Sequence, residues 1–352
     1  MPLMIDGGRI PTRWAEKMGW CPGTTGGQFG HTECIKIALI NNMPDAALED
    51  TELQFFELLN TAAEDSPVLL KLFSLPKIPR SDRGLGHLNS FYFPIEELFS
   101  SRFDGVIITG TEPRQPNLRD EPYWSALGDV LDWAEENTAS TVLSCLAAHA
   151  AVLHSDGIGR HALDDKQFGV FDDRKVSDHL LTSGTSEPMR FPHSRWNEVR
   201  EEALTSFGYS VLTKSAEAGV NLFVKKKKKS LFVHFQGHPE YGSETLWKEY
   251  RRDVKRFLRQ ERPTYPKMPH GYFGAAAAKV LSEFRETALS HPCEELMAAF
   301  PEVTAGDGSE SAWHSAAARV YRNWLQFVVA GSASAAVYAA SASSRISVTW
   351  SR

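Results

Sequence analysis

The 352-residue chain has only four cysteines, Cys21, Cys34, Cys145 and Cys293, none in Cys-x-x-Cys or Cys-x-x-His spacing. That excludes a disulfide framework and a zinc knuckle as organising devices, and makes a reducing cytoplasm the expected setting. No run of about 18 consecutive apolar residues occurs, so no membrane-spanning helix is expected. The nearest approach, Trp324 to Ala340, is diluted by small residues and serines. Residues 1–14 show no basic stretch ahead of an apolar core, so no secretory leader is expected there. Positive charge is not in excess either: 38 Lys+Arg against 44 Asp+Glu leave a net charge of -6, which argues against nucleic acid as a partner. There is no internal repeat.

What is present is an alternation. Continuous apolar runs at Lys36 to Ile40, Val68 to Phe73 and Phe103 to Gly110 suit strands buried on both faces. Between them lie stretches of helical spacing, such as Leu53-Gln54-Phe55-Phe56-Glu57-Leu58-Leu59 and Tyr123 to Asn137. The pattern predicts an α/β fold with a doubly wound, mostly parallel sheet, whose ligands bind at the carboxyl ends of its strands. The expected organisation is an irregular N-terminal arm (1–35), an α/β domain (36–275) and a C-terminal helical extension packed on it (276–352). Within this frame Pro76 to Phe93 reads as a surface excursion, and Ala340 to Arg352 as a frayed end.

One stretch carries chemistry by itself. The β-branched run ending at Ser144-Cys145 passes directly into the Ala-rich run Leu146 to Ala150, which reads as strand, tight turn and helix with Cys145 at the turn. A thiol there is exposed at a sheet end, where a helix N-terminus favours the thiolate and offers N–H groups to an oxyanion. The other reading is a small buried residue packing the corner. A second strand, Ser230 to Phe235, ends in Gln236-Gly237-His238-Pro239-Glu240, so a doubly wound sheet can bring a base, His238, and an orienting carboxylate, Glu240, to Cys145. The five lysines Lys225 to Lys229 read as a solvated hairpin tip rather than an anion patch.

Taken together, Lys36 to Pro44 with Thr51-Glu52, Phe103 to Gly110 with Tyr123-Trp124, Cys145, Lys166 with Gly169-Val170, Pro192-His193-Ser194-Arg195, Gly237 to Tyr241, Arg252-Asp253 and Asn323-Trp324-Leu325 carry a resemblance. From about Lys36 to Gly331 the chain resembles the homoserine O-succinyltransferase family of homoserine O-acyltransferases, built on the class I glutamine amidotransferase-like, flavodoxin-like fold. The resemblance implies transfer of an acyl group from coenzyme A, through a thioester on Cys145, to the hydroxyl of homoserine or serine, in methionine or cysteine biosynthesis. It implies His238 and Glu240 as base and orienter, and Lys166, Ser194 and Arg252 as acceptor-binding residues. Succinyl-CoA or acetyl-CoA is then a co-substrate, with no permanently bound cofactor and no metal. The implied protein is a cytoplasmic homodimer that acts on small molecules, without nucleic acid or membrane.

The chain departs from the family pattern at informative places. Asp45-Ala46-Ala47 stand where the family commonly has lysines, Leu146 where it often has tryptophan, and His149 where it usually has glutamine. Arg114 aligns with the position that goes with acyl-donor choice, glycine for succinyl and glutamate for acetyl. A cation there complements a succinyl carboxylate, which favours succinyl over acetyl. The alternative activity is a glutamine amidotransferase-type cysteine hydrolase using the same three residues.

Overall fold

The computed structural model describes residues 3–6, 11, 14, 34–64, 66–303 and 309–346, with side chains described over 313–331 of the last segment. The N-terminal part of the chain forms β1 (Leu3–Ile5), β2 (Ile35–Ile40), α1 (Asp45–Ala63), β3 (Val68–Phe73), α2 (Asp82–Phe91), α3 (Glu96–Ser100) and β4 (Gly105–Ile108). Next come α4 (Trp124–Asn137), β5 (Ser140–Ser144), α5 (Leu146–Asp156), β6 (His161–Lys175), β7 (Met189–Glu198) and α6 (Glu201–Ser206). The remainder is β8 (Ser210–Val211), β9 (Thr213–Ser215), β10 (Gly219–Val220), β11 (Leu222–Lys227), β12 (Ser230–Phe235), α7 (Thr245–Leu258), α8 (Ala275–Ser290) and α9 (Ser309–Ile346).

Eight strands share one sheet in the order β1-β3-β2-β4-β5-β12-β11-β8, parallel from β1 through β12 and antiparallel at β11 and β8. The pleat of β2 shows why its run is apolar throughout. Ile37 and Leu39 enter a core with Phe55 and Leu59 of α1 and Trp324 and Val328 of α9. Ala38 and Ile40 enter another with Leu127 and Val130 of α4 and Ala147 and Ala151 of α5. Helices therefore cover both faces, and each fully buried large apolar side chain contributes roughly 1.5–3 kcal/mol. The architecture is the doubly wound, mostly parallel α/β fold that the alternation predicts. Trp324 anchors α9 beneath the sheet, its Nε1 donating to Ser140 Oγ at 2.9 Å.

A second sheet is not announced by the sequence. It runs β10-β9-β6-β7, is antiparallel throughout, and carries the segments around Lys166 and Ser194. β6 is rich in Asp, Lys and Arg, and its pairing with β7 shifts register between Ala162 and Gln167, so no clean period-2 signal survives. The run Gly219 to Val224 divides between the two sheets at buried Asn221. Asn221 Nδ2 donates to Asp173 Oδ2 at 2.7 Å, and its Oδ1 accepts from Gly237 N at 2.8 Å.

Other expectations need correction. Pro76 to Phe93 contains α2, whose glycines lower its propensity. Ser81 Oγ caps it by accepting from Gly84 N, and His87 and Arg83 tie it to Glu52 and Glu49 of α1. The helix expected from Tyr123 starts at Trp124, with Tyr123 as N-cap. α9 continues through Ile346, past Ala340, and 347–352 lie outside the described residues. Most of residues 1–34, Cys21 included, also lies outside them. Leu3–Ile5 nevertheless pairs in parallel with Val68–Leu70, and Trp14 is buried against Phe56. The lysine run forms a hairpin tip: Lys225 and Lys227 pair with Asp156, and Lys228 with Glu135 and Glu136. Among the described residues no helix is long and apolar enough to cross a membrane.

Candidate active site

β5 and β12 are parallel neighbours, with Phe235 opposite Ser144. The pairing extends one residue further, where Cys145 N donates to Phe235 O at 2.8 Å. The chain after β12 therefore emerges beside the start of α5. Cys145 itself has φ 51° and ψ -110°, a conformation that strains a non-glycine residue by about 1–3 kcal/mol. It turns a strand into a helix in one residue and leaves the thiol half-exposed at the helix N-terminus, where the first N–H groups have no intrahelical partner. Gly110, at the end of β4, makes room for this turn: a Cβ there would lie 2.8 Å from Leu146 Cβ and 3.0 Å from Leu146 N.

His238 and Glu240 occupy the neighbouring strand end. His238 Nδ1 and Glu240 Oε1 are 2.8 Å apart, which leaves Nε2 for the hydrogen bond with the Cys145 side chain. Both side chains are nearly buried. Burial by itself would push the imidazole toward neutrality, yet the charges of Cys145 and Glu240 outweigh it and hold His238 well above the usual histidine range. The loop is pinned to the second sheet, with His238 N donating to Pro192 O at 2.8 Å. A thiol, an imidazole and a carboxylate in this order are chemically able to serve as nucleophile, base and orienting group, a set suited to acyl transfer through a covalent thioester.

A second cluster adjoins it. The Tyr241 ring stacks on His238 at 4.1 Å, and its hydroxyl donates to Glu249 Oε1 at 2.7 Å. Glu249 Oε2 accepts from Ser194 Oγ and pairs with Lys166 Nζ at 3.0 Å, while Arg252 Nη2 stands 3.8 Å away. Lys166 also reaches Asp253 at 3.4 Å and lies over the Phe168 ring. Burial would raise the Glu249 carboxyl, but Lys166, the bonds from Ser194 and Tyr241, and Arg252 bring it down to about 2. Lys166, Ser194 and Arg252 thus converge on one carboxylate that sequence reasoning missed. The available signal was helical spacing, since Glu249, Arg252 and Asp253 fall at i, i+3 and i+4 on α7. Gly169 has φ 143° and backs onto His270, where a Cβ would meet His270 N at 2.3 Å, so only glycine fits beside Val170.

The remaining candidates are placed as follows. Arg114 is exposed on the loop leaving β4; its backbone N–H donates to Glu121 Oε1 at 2.5 Å, as does that of Gln115 at 2.7 Å. The structure does not bring its side chain into either cluster. His149 is buried one turn into α5, bonded to Gln236 Oε1 at 2.9 Å, and burial together with the Arg195 charge lowers it to about 3, so it is neutral. Arg195 is buried beside the site and donates to the carbonyls of Asn197 and Ala218. Among the described residues no group of three His, Cys, Asp or Glu side chains could hold a metal ion.

Known proteins are similar to this chain over most of its length. The family model for homoserine O-succinyltransferase matches residues 27–335. The homoserine O-succinyltransferase of Rhodopseudomonas palustris is 43% identical over 291 residues, covering 83% of this chain and 87% of that protein. That of Bradyrhizobium japonicum is 44% identical over 298 residues, covering 84% and 91%. Among solved structures, a glutamine amidotransferase of Thermotoga maritima aligns at TM-score 0.45 and 13% identity, covering 84% of this chain and 99% of that one. The chain belongs to the homoserine O-succinyltransferase family of acyltransferases.

Proposed function

We propose that this protein moves a succinyl group from succinyl-CoA to the hydroxyl of homoserine through a thioester on Cys145, a step of methionine biosynthesis. Acetyl-CoA as donor and serine as acceptor are the second choices at each end. The observation that carries the reading is the direct abutment of the Cys145–His238–Glu240 set on the Glu249 cluster through the stacked rings of His238 and Tyr241. Family membership favours transfer over the hydrolase alternative.

In the first half-reaction the Cys145 sulfur attacks the thioester carbonyl carbon, and the N-terminal N–H groups of α5 face the resulting oxyanion. The carbon–sulfur bond to coenzyme A then breaks, and its thiolate takes the proton from His238. In the second, the acceptor hydroxyl gives its proton to His238 and its oxygen attacks the Cys145 thioester. The carbon–sulfur bond breaks and returns Cys145 as a thiolate beside the protonated imidazole. The acceptor's ammonium meets Glu249, and its carboxylate meets Arg252 and Lys166, with Ser194 bracing Glu249. Arg114 acts on donor choice through the loop it occupies, and the working form is a homodimer.

Intact-protein mass spectrometry after mixing with each acyl-CoA tests the reading. A succinyl adduct on the wild-type protein, absent in Cys145→Ala and discharged by homoserine, is the expected result. No adduct with either donor would overturn it.

A further inference from the structure

Asn221 stands between β10 and β11, where the chain passes from the second sheet to the main one, and it is fully buried. Its backbone and side chain are engaged at both ends. The backbone N–H donates to Thr213 O at 3.1 Å, and the carbonyl accepts from Gln236 N at 3.0 Å. In the side chain, Oδ1 accepts from Gly237 N at 2.8 Å and Nδ2 donates to Asp173 Oδ2 at 2.7 Å. With His238 N on Pro192 O, the N–H groups of Gln236, Gly237 and His238 all rest on buried acceptors, the first two on Asn221. Space is equally tight there: a Cβ on Gly237 would lie 2.8 Å from Pro192 O, 2.9 Å from Asn221 Oδ1 and 3.0 Å from His193 Nε2.

A side-chain amide can sit either way round, and only one way offers Gly237 an acceptor. Asp173 settles the choice. Its Oδ2, which also takes the Thr213 hydroxyl at 2.8 Å, draws Nδ2 toward itself and leaves Oδ1 for the Gly237 N–H. Burial pushes the Asp173 carboxyl up to about 7, with Asp172 adding to it, against the bonds from Asn221 and Thr213 and the charge of Arg195. Its other oxygen is buried without a hydrogen-bond partner among the described residues. Such a place is costly for a carboxyl, and its bonds go to Asn221 and Thr213 rather than to Cys145, His238 or Glu240.

We propose that Asn221, oriented by Asp173 and Thr213, is a positioning residue for His238: it fixes the Gly237 peptide and, through it, the place at which the imidazole meets Cys145. The inference rests on the proposed role of His238 as base and adds the residues that place it. A base acts only within hydrogen-bond reach of the proton it takes, so a shift of about 1 Å in the backbone just before it costs rate and leaves substrate contacts alone. The same shift removes the imidazolium that favours the thiolate, letting the thiol return toward its ordinary value of about 8.5.

The test reads the Cys145–His238 pair without an acyl donor. Alkylation of Cys145 by iodoacetamide is followed across a pH series by mass spectrometry of its peptide, alongside steady-state rates. Asn221→Ala removes the acceptor, whereas Gly237→Ala leaves Asn221 in place and pushes the same peptide off its seat; the second variant decides the matter should the first not fold. Each is expected to move the alkylation midpoint up by about one pH unit and to lower kcat by about 10- to 100-fold, with both KM values within about 3-fold. Asp173→Asn, whose amide oxygen can still accept from Asn221, should displace the midpoint less than Asp173→Ala does. A lowered Tm with an unmoved midpoint would reduce this joint to a fold contact, and raised KM values with unchanged kcat would assign it to substrate binding; either overturns the inference. The proposed function fails by a different sign, the lack of any acyl adduct on wild-type Cys145.

Discussion

Ser144 Oγ donates a hydrogen bond at 3.1 Å to Glu240 Oε1, the oxygen that also faces His238 Nδ1 at 2.8 Å. The residue just before Cys145 therefore holds the carboxylate that faces His238. Among the described residues Glu240 Oε2 is buried without a hydrogen-bond partner. Ser144→Ala should lower kcat by about 10-fold while both KM values stay within about 3-fold, since one positioning hydrogen bond is lost and no substrate contact. Steady-state kinetics decide the matter: a raised KM with unchanged kcat would assign Ser144 to binding instead.

Glu249→Gln should raise the acceptor KM by about 10- to 100-fold and leave the rate of Cys145 acylation within about 3-fold, because in the proposed mechanism that charge meets the acceptor's ammonium and not the acyl donor. Rapid-mix mass spectrometry reads the first half-reaction and steady-state rates read the second. A carboxyl brought down to about 2, from 4.5, contributes stability that is fully present above pH 4.5 and is lost as the pH falls toward 2. The stability difference between wild type and Glu249→Gln should therefore shrink on acidification within that window, as followed by chemical denaturation.

Gly110→Ala places a methyl group against the backbone of Leu146, the first residue of α5. Neither neighbour can swing aside as a flexible side chain could. The substitution should cost about 1–3 kcal/mol of stability and more than about 10-fold in acylation rate, because the oxyanion-facing turn must shift. Retained activity with a lowered Tm would show that the turn is not needed in its present position.

His87 and Glu52 join α2 to α1 at 2.8 Å, and the Tyr92 hydroxyl donates to the same Glu52 oxygen at 2.6 Å. Burial would lower His87, but the bond and charge of Glu52, with the charge of Glu49, raise it above its usual 6.5. A raised histidine stabilises the fold below pH 6.5, and that contribution disappears as the pH climbs through the folded-state value. His87→Gln should accordingly cost about 1–3 kcal/mol at pH 6 and clearly less at pH 9, measured as the difference in denaturation free energy. A pH-independent difference would exclude the ion pair as its source.

The strands at the centre of the sheet were legible because burial on both faces demands unbroken apolar runs, as in Ile35–Ile40 and Gly105–Ile108. β6 and β7 were not, since one carries acidic residues and a register shift and the other includes Pro192, His193 and Arg195. α2 was hidden by its glycines and is held by contacts to α1 that no local pattern contains.

By itself the sequence determined where a thiol could stand at a strand-to-helix corner, and that a histidine and a glutamate follow another strand. Their identity, spacing and family resemblance are all local facts. Tertiary structure decided that β5 and β12 lie side by side in parallel, bringing His238 to Cys145. It also decided that Lys166, Ser194 and Arg252 gather on Glu249, while Arg114 stays exposed. The physical reason is the same in each case. Apolar periodicity records which face of an element is buried, whereas a charged residue on a helix or loop reads alike in sequence whether it meets water or a second charge brought from another part of the chain.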